Sequence, residues 1–221
     1  MARRSDHTRE ELKKLMIRSA KEIIAEKGLM GLTAREIAGK IGYSAGTIYN
    51  VFSNLNEIIY HLEIEVLESL ESFLETLSDE LQPDEQLLLF TEKYLDYIDG
   101  YFNSWQLLIE HKAPHDMQIP GWYREKFERI ISLVELRMKP LFSAEDISGV
   151  ERAARVFWAG LHGIIILSGS DKLAIADNEN RKDYALFWVK TFTDGLKKSR
   201  DELSGAGNIS EDEGERPATG S

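Results

Sequence analysis

The sequence predicts an all-α protein, and three observations support that fold class. Apolar residues recur along most of the chain at the spacing of amphipathic helices. The hallmarks of strands, Asn-Gly hairpins and sustained apolar–polar alternation, are missing from the sequence. A cap residue followed three positions later by glutamate, which is typical of a helix start, occurs at Thr8–Glu11, Thr33–Glu36 and Asn54–Glu57.

Caps and breakers place the helices. Gly28 is expected to end the first helix, because glycine readily adopts the left-handed conformation found after helices. Ser44 is expected to cap the third helix. The predicted helices are 8–27, 33–40, 44–51, one that starts at 55 and stops before Pro83, 83–101, 104–112, 120–140, 146–170 and 182–203. The tail 204–221, rich in glycine, serine and acidic residues, is predicted to be disordered.

Charge is divided unevenly along the chain. The net charge of −11 comes from 27 Lys and Arg against 38 Asp and Glu. Residues 1–61 hold ten basic and seven acidic residues, a net of +3, whereas the remaining 160 residues carry a net of −14. DNA would be attracted to the N-terminal end and repelled by the rest, which would orient a docking protein.

Composition and motifs exclude several other classes. The chain has no cysteine, and so it has neither a disulfide framework nor cysteine chemistry. Its longest apolar run, 156–167, is too short to span a membrane, and the polar N-terminus has no signal-peptide core, so we expect a cytoplasmic protein. Nucleophile elbow, phosphate-loop and metalloprotease motifs are missing, and we predict that the protein is not an enzyme and has no cofactor.

The two short helices 33–40 and 44–51 are joined by Ile41-Gly42-Tyr43, a spacing typical of a helix-turn-helix. The stretch from Leu32 to Ile59 resembles the DNA-binding signature of the TetR family. The residues that match this signature are Thr33, Ile37-Ala38, Gly42, Gly46-Thr47-Ile48-Tyr49, Phe52, Asn54 and Glu57-Ile58.

The resemblance covers residues 8–60. It implies an all-α protein with an N-terminal three-helix helix-turn-helix DNA-binding domain, at 1–55, and a C-terminal helical ligand-binding and dimerisation domain, at 56–203. It further implies a homodimeric transcriptional regulator, typically a repressor, that binds double-stranded DNA at a palindromic operator and is released by a small-molecule effector.

The third helix is the expected reading element. Apolar residues are predicted to hold it across the second helix: Ile37, Ala38, Ile41, Ile48 and Phe52. Its other face carries small and polar residues suited to the major groove: Ser44, Ala45, Gly46, Thr47, Tyr49 and Asn50. Asn50 suits an adenine, and Thr47 suits a thymine methyl. Expected phosphate contacts are Tyr49, Thr33, Arg35 and Lys40.

Two positions depart from the family pattern. Many members carry a basic residue where Leu55 stands and often a histidine where Val51 stands. These residues usually contact the DNA backbone, and we do not expect Leu55 or Val51 to make such contacts. Non-specific affinity could instead depend on the arm with Arg3, Arg4 and Arg9.

The second half is less specific. Trp158 to Gly163 resembles the Trp…His-Gly motif of one C-terminal domain class of the TetR family, the WHG type. That resemblance implies a ligand-receiving domain whose last two helices form the dimer, with Gly160 and Gly163 allowing close helix approach. Candidate ligand contacts are Phe102, Trp105, Ile109, His111, Trp122, Phe127, Trp158 and His162. The alternative is that these aromatic residues are core and that His162 is a packing residue.

Three other interpretations remain open. The predicted helix pair could be a corner inside another helical protein, although its small polar face argues for exposure. The protein could be a partner-binding helical protein without a DNA role, or a helical enzyme using His111, His115 or His162. A metal site at Glu110, His111, His115 and Asp116 is disfavoured because Pro114 interrupts the helix that would align the histidines.

Overall fold

The computed structural model describes residues 7–75, 81–114, 117–168 and 180–209, with side chains up to residue 200. Within these ranges the secondary structure is helical and no strand occurs, which confirms the predicted all-α fold class. The helices are α1 (Arg9–Lys27), α2 (Ala34–Ile41), α3 (Ala45–Val51), α4 (Leu55–Leu74), α5 (Pro83–Gly100), α6 (Phe102–Glu110), α7 (Gly121–Met138), α8 (Ile147–Ser168) and α9 (Arg181–Ile209). Short 3₁₀ turns occupy Leu29–Gly31 and Lys139–Leu141.

Most predicted helix ends hold to within a few residues, with two exceptions. Helix α4, predicted to continue toward Pro83, ends at Leu74, and residues 76–80 lie outside the described residues. Helix α9 continues to Ile209 and not to 203, six residues into the segment predicted to be disordered. The rest of that segment, 210–221, lies outside the described residues.

In the described ranges, side chains cap the starts of α1, α2, α4 and α8, the last through Asp146, which accepts the Gly149 amide at 2.9 Å. Of the three predicted boxes, only the one at α1 is fully reciprocal. At α1 the Thr8 hydroxyl accepts the Glu11 amide, and the Glu11 carboxylate accepts the Thr8 amide at 2.6 Å. At α2 Thr33 accepts the Glu36 amide, but the Glu36 carboxylate binds Lys27 Nζ instead of returning to the cap. The predicted box there is therefore half formed.

The start of α4 differs from the expected box by one residue. Asn54 Oδ1 accepts the Glu57 amide at 3.0 Å, as predicted. The Glu57 carboxylate, however, accepts the amide and the hydroxyl of Ser53 and not the Asn54 amide. Because these bonds favour the charged form, the pKa of Glu57 is lowered even though its burial opposes the shift.

A left-handed glycine sets the turn between α2 and α3. Gly42 has φ +74° and ψ +27°, and the following Tyr43 amide donates to the Ala38 carbonyl at 2.9 Å. This six-to-one bond is the mark of a Schellman ending. A residue with a side chain would strain that turn, which fixes how α3 leaves α2.

The chain divides into two compact units, Met1–Phe73 with Asp96–Ile130 and Leu74–Leu95 with Ile131–Ser221. The core of the first unit includes residues from α1, α2, α3, α4 and α6: Leu12, Met16, Ile23, Ile37, Ala38, Ile48, Phe52, Ile58, Leu62 and Leu107. This core confirms the predicted packing of α3, except that Ile41 is only partly buried. The core of the first unit extends past residue 55. The predicted division into a DNA-binding domain, 1–55, and a ligand-binding and dimerisation domain, 56–203, therefore stays a prediction.

In the second unit α8 packs against α9 through aromatic rings. Phe157 of α8 lies 5.2 Å from the Trp188 ring, which in turn stacks on Phe192. A Cβ at Gly160 would come within 2.2 Å of the Trp188 ring, so this glycine is what allows α9 to approach. Nothing lies within 4 Å of a Cβ at Gly163, and its predicted role in close approach is not met within this chain.

Candidate functional site

The outer face of α3 is exposed and polar. Ile48 is fully buried and anchors the helix, while Ser44, Gly46, Tyr49 and Asn50 are at least partly exposed, Tyr49 to 55%. Ala45 and Thr47 are half-buried, and Ala45 packs against the core. The helix therefore places its exposed residues on the side predicted to read DNA, although their contacts with DNA stay a prediction.

Ser44 does not cap α3 in the expected way. Its backbone occupies the cap position, but its side chain makes no bond to a helix amide. Instead its hydroxyl pairs with the Thr47 hydroxyl at 3.0 Å. The pair orients two reading-face hydroxyls, each of which keeps hydrogen-bonding capacity for a ligand.

The two predicted cations of α2 have different surroundings. Lys40 Nζ lies 3.0 Å from Glu26 and 3.1 Å from Glu22, both on α1, and these carboxylates raise the pKa of Lys40. Arg35 is exposed, and no ion-pair partner for it appears among the described residues. The geometry therefore favours Arg35 as a phosphate contact and disfavours Lys40.

The positions that depart from the family pattern face inward. Val51 and Leu55 are both partly buried against the core of this unit. They therefore stabilise the packing of α3 and α4. This placement agrees with the expectation that Val51 and Leu55 do not make the phosphate contacts found at these positions in many family members.

The start of α1 is tied to the end of α3 by contacts that the sequence did not reveal. His7 Nδ1 lies 2.7 Å from the Tyr43 hydroxyl. Arg9 donates to the Val51 carbonyl at 3.4 Å, and the Lys13 ammonium lies 5.9 Å from the Phe52 ring. The turn before α3 and the residues after it are thus both held against α1. Arg3 and Arg4 of the predicted arm lie outside the described residues.

The predicted ligand residues do not form one set. Six of them belong to the first compact unit, whereas Trp158 and His162 belong to the second. On α6, Trp105 is buried, Ile109 is half-buried and Phe102 is 48% exposed. Phe127 of α7 is half-buried, and Trp122 stacks on the His61 ring at 4.7 Å. Their roles as ligand contacts stay predictions.

His111 belongs to a buried polar cluster. Its Nδ1 lies 2.9 Å from Glu63 Oε1, and its Nε2 lies 3.0 Å from Asn56 Oδ1. Both ring nitrogens of His111 therefore have a polar partner within hydrogen-bond distance. Glu63 is only 2% exposed, and its Oε2 has no hydrogen-bond partner among the described residues.

Aromatic rings surround this Glu63–His111 pair. Tyr60 contacts the His111 ring at 5.2 Å and the Tyr123 ring at 4.7 Å. Burial, with the Glu63 carboxylate nearby, raises the pKa of both Tyr60 and Tyr123. Both phenols therefore remain neutral at physiological pH.

His162 forms hydrogen bonds within the second unit. Its Nδ1 donates to the Trp158 carbonyl at 3.0 Å, and its Nε2 lies 2.8 Å from the Tyr94 hydroxyl. The rings of Trp158 and Tyr94 contact the imidazole at 4.5 and 5.6 Å. These contacts favour the packing interpretation of His162 over a ligand role.

The His162 environment predicts a pH dependence of stability. Burial lowers the pKa of His162 in the folded chain, so the unfolded chain binds the proton more tightly. The stability that neutral His162 contributes is therefore fully present above the histidine pKa of the unfolded chain, about 6.5. It is lost as the pH falls below that value. We expect the free energy of unfolding, measured with urea, to fall between pH 7.5 and pH 5.5. The fall should be smaller for His162→Gln than for the unchanged chain. Equal losses would contradict this assignment. Burial also lowers the pKa of His61, so part of the pH dependence of stability should remain in His162→Gln.

A cavity lies within the first unit, on a surface where no ligand contact was predicted. It has a volume of about 590 Å³, and none of the eight predicted ligand residues lines it. Its wall is formed by α1, the Gly28–Leu29 turn, α4, α5 and α6: Lys21, Ile24, Ala25, Gly28, Leu29, Leu62, Glu65, Val66, Ser69, Tyr97, Tyr101, Asn103, Ser104, Gln106, Leu107 and Glu110.

Other kinds of site are not evident in the described ranges. There, no three His, Asp or Glu side chains are grouped to hold a metal ion, and His115 and Asp116 lie outside those ranges. None of the helices in the described part of the chain has the length and apolar character needed to cross a membrane.

Comparison with known proteins bears on the N-terminal unit first. Residues 16–60 match the family described as bacterial regulatory proteins, tetR family. The matched segment runs from α1 into α4 and contains the whole α2–turn–α3 element. A comparison with curated protein sequences found no match.

Solved structures resemble the chain over most of its length. A Rhodococcus sp. RHA1 protein of unknown function is 18% identical, covers 88% of this chain and 99% of its own, and gives a TM-score of 0.64. FadR of Thermus thermophilus, a TetR-family transcriptional repressor in complex with lauroyl-CoA, is 19% identical, with coverages of 95% and 100% and a TM-score of 0.57. PfmR, a TetR-family transcriptional regulator that is also from Thermus thermophilus, is 17% identical, with coverages of 80% and 96% and a TM-score of 0.53.

These findings support DNA binding and transcriptional regulation, which the sequence predicted, and the two matched Thermus thermophilus proteins are regulators. The WHG subtype receives no support from them. Residues 16–60 match the tetR-family regulatory model, and the chain as a whole has the fold of TetR-family transcriptional regulators.

Proposed function

We propose that this protein is a homodimeric transcriptional repressor that binds a palindromic operator in the cytoplasm and is released by a small-molecule effector. The observation that carries the proposal is α3, whose Ile48 is buried in the core while Tyr49 and Asn50 are exposed. An α-helix fits the major groove when one side is anchored and the other carries small polar residues. In a dimer, two copies of α3 would enter successive grooves, roughly 34–36 Å apart.

The second unit supports dimerisation through α8 and α9. On α8, Val156, Ala159, Gly163 and Ile166 follow one another at three- and four-residue intervals and are exposed or half-buried. On α9, Tyr184, Phe187, Thr191 and Gly195 do the same, and Phe187 is 73% exposed. Small and apolar stripes of this kind let helices of a symmetry mate approach closely and bury apolar surface. Gly163, with open space at its Cβ, fits this role between chains.

The dimer proposal predicts that Phe187→Glu yields a monomer. A carboxylate at this position would have to be desolvated on both sides of a two-fold interface. We expect light scattering after size exclusion to give the mass of one chain, with helical content unchanged. Lys190→Gln, which lowers the charge of α9 by the same amount at another exposed position, should remain a dimer. A Phe187→Glu protein that stays dimeric would exclude this interface.

Selection of bound sequences from random duplex DNA tests the function directly. At moderate salt, the purified protein should enrich a palindrome with two half-sites. Binding to random DNA should weaken steeply as salt rises, because phosphate contacts release counterions. A partner-binding protein without a DNA role would enrich nothing and show no such slope, even at low salt.

Effector release is tested apart from dimerisation and DNA binding. The resemblance to ligand-responsive regulators motivates it, and the lauroyl-CoA complex belongs to the Thermus thermophilus protein alone. In energetic terms an effector needs to favour the DNA-incompetent arrangement by about 1–3 kcal/mol. Titrating cell extract into the protein–operator complex and following its dissociation would test this part separately.

A further inference from the structure

We propose that the cavity of about 590 Å³ in the first unit binds a small amphipathic molecule that is uncharged or cationic. Its volume falls in the range of pockets that hold drug-sized ligands. Its use as an effector site rests on the proposed function, whereas binding itself does not. The site lies on a face of α6 that none of the predicted ligand residues occupies.

The cavity combines an apolar floor with a polar rim. Aliphatic side chains from α1, the following turn, α4 and α6 supply the floor: Ile24, Leu29, Leu62, Val66 and Leu107. Leu62, Val66 and Leu107 are themselves buried, so the floor is a rigid part of the core. Ser69, Asn103 and Ser104 are exposed at the rim and offer hydrogen bonds. This mixture suits a ligand with an apolar body and one polar end.

The charges in the wall select against anions. Lys21 is the one cation in the lining, and its ammonium lies 2.6 Å from Glu65 Oε2. Glu110 adds a second carboxylate, which accepts a hydrogen bond from Gln106 Nε2. Since the lysine is already paired and the carboxylates outnumber it, an anionic group entering the cavity would meet net repulsion. A neutral or cationic ligand meets none.

The position of the cavity links it to the reading helix. Lys21, Ile24 and Ala25 belong to the last turns of α1, and Gly28 follows the helix with φ +71°. The same helix packs on α2 and α3, and its Leu12 and Met16 belong to the core that these helices share. A ligand seated here would therefore contact the helix against which α3 is held, and a small shift of α1 would change how α3 is presented.

Two related fluorescent probes test the ligand class. N-phenyl-1-naphthylamine is neutral and amphipathic, and 8-anilinonaphthalene-1-sulfonate has the same ring system with an added sulfonate. We expect the neutral probe to bind the free protein saturably, at one molecule per chain, and at least about tenfold more tightly than the sulfonate. Equal affinities, or tighter binding of the sulfonate, would contradict the charge argument.

Variants locate the bound probe. Ser69→Phe and Ser104→Phe fill the cavity from two helices, and each should weaken binding of the neutral probe by at least tenfold. Ser72→Phe, one turn along α4 from Ser69 and not in the lining, is the matched control and should bind as the unchanged chain does. Glu110→Lys should tighten binding of the sulfonate. If the two cavity-filling variants fold and bind the neutral probe normally, the site is wrong.

The regulatory consequence is measured separately. The neutral probe should weaken operator binding by the unchanged protein and by Ser72→Phe, but not by Ser69→Phe. Binding of the probe without any effect on operator affinity would leave the ligand site standing and remove its role as an effector site. Failure to bind any DNA would reject the proposed function without bearing on the probe titration.

Discussion

Replacing Asn50 with alanine should weaken operator binding by about 30-fold to 10⁴-fold. The Asn50 side chain is exposed on α3, and no hydrogen-bond partner for it appears among the described residues. A bidentate asparagine–adenine pair contributes about 1–3 kcal/mol of discrimination, and a dimer on a palindrome loses two of them. Fluorescence anisotropy with the selected operator and with a scrambled duplex measures both affinities. Only the operator affinity should change.

A second substitution on the same face should behave differently. Tyr49→Ala removes an expected phosphate contact, and so it should weaken binding to operator and random DNA alike. Gln118→Ala, which removes an exposed amide outside α3 and outside the cavity lining, should leave operator affinity unchanged. An Asn50→Ala protein that folds and binds the operator normally would show that α3 reads DNA through other residues.

Replacing His111 with alanine should lower the free energy of unfolding by roughly 1–3 kcal/mol, the usual cost of leaving a buried polar group without its hydrogen-bond partner. The reason is the environment of Glu63, whose side chain is 2% exposed and lies 2.9 Å from the His111 ring. The variant leaves the Glu63 carboxyl group buried without this partner. Urea unfolding at neutral pH, followed by far-ultraviolet circular dichroism, measures the change.

A compensating change distinguishes the lost hydrogen bond from lost packing. Combining His111→Leu with Glu63→Met replaces both partners with apolar groups of similar size, and most of the lost stability should return. If His111→Ala alone costs less than about 1 kcal/mol, Glu63 does not depend on His111 as a hydrogen-bond partner and the assignment fails.

Local signals explain how much of the fold was predictable. Thr8, Gly28 and Gly42 act through bonds within a few residues of themselves, and each acts where the sequence placed it. Asn54 and Ile48 likewise fulfil the roles that their spacing indicated. Errors arose where a side chain had a choice of partner. Ser44 binds Thr47 instead of an amide, and Glu36 binds Lys27 instead of its cap.

The ligand residues were harder to predict because their surroundings come from distant parts of the chain. His111 is paired with a glutamate 48 residues earlier, which no periodicity reveals. On α6, Trp105 is buried and Phe102 is exposed, a difference that their shared aromatic character does not predict. The cavity is formed by helices as far apart in sequence as α1 and α6, so it becomes visible only once the chain has folded.

The pairing of Lys40 with two glutamates of α1 affects how such a regulator would search a genome. A lysine held by carboxylates adds little to the counterions released on docking, and positions Val51 and Leu55 add none because they carry no charge. A bacterial chromosome presents on the order of 10⁶ or more competing positions, and each weak phosphate contact retains the protein there. With fewer such contacts, a larger fraction of the molecules stays off random sequence. Operator binding would lose the same phosphate contacts, so discrimination between the operator and random DNA would depend on the base contacts of α3.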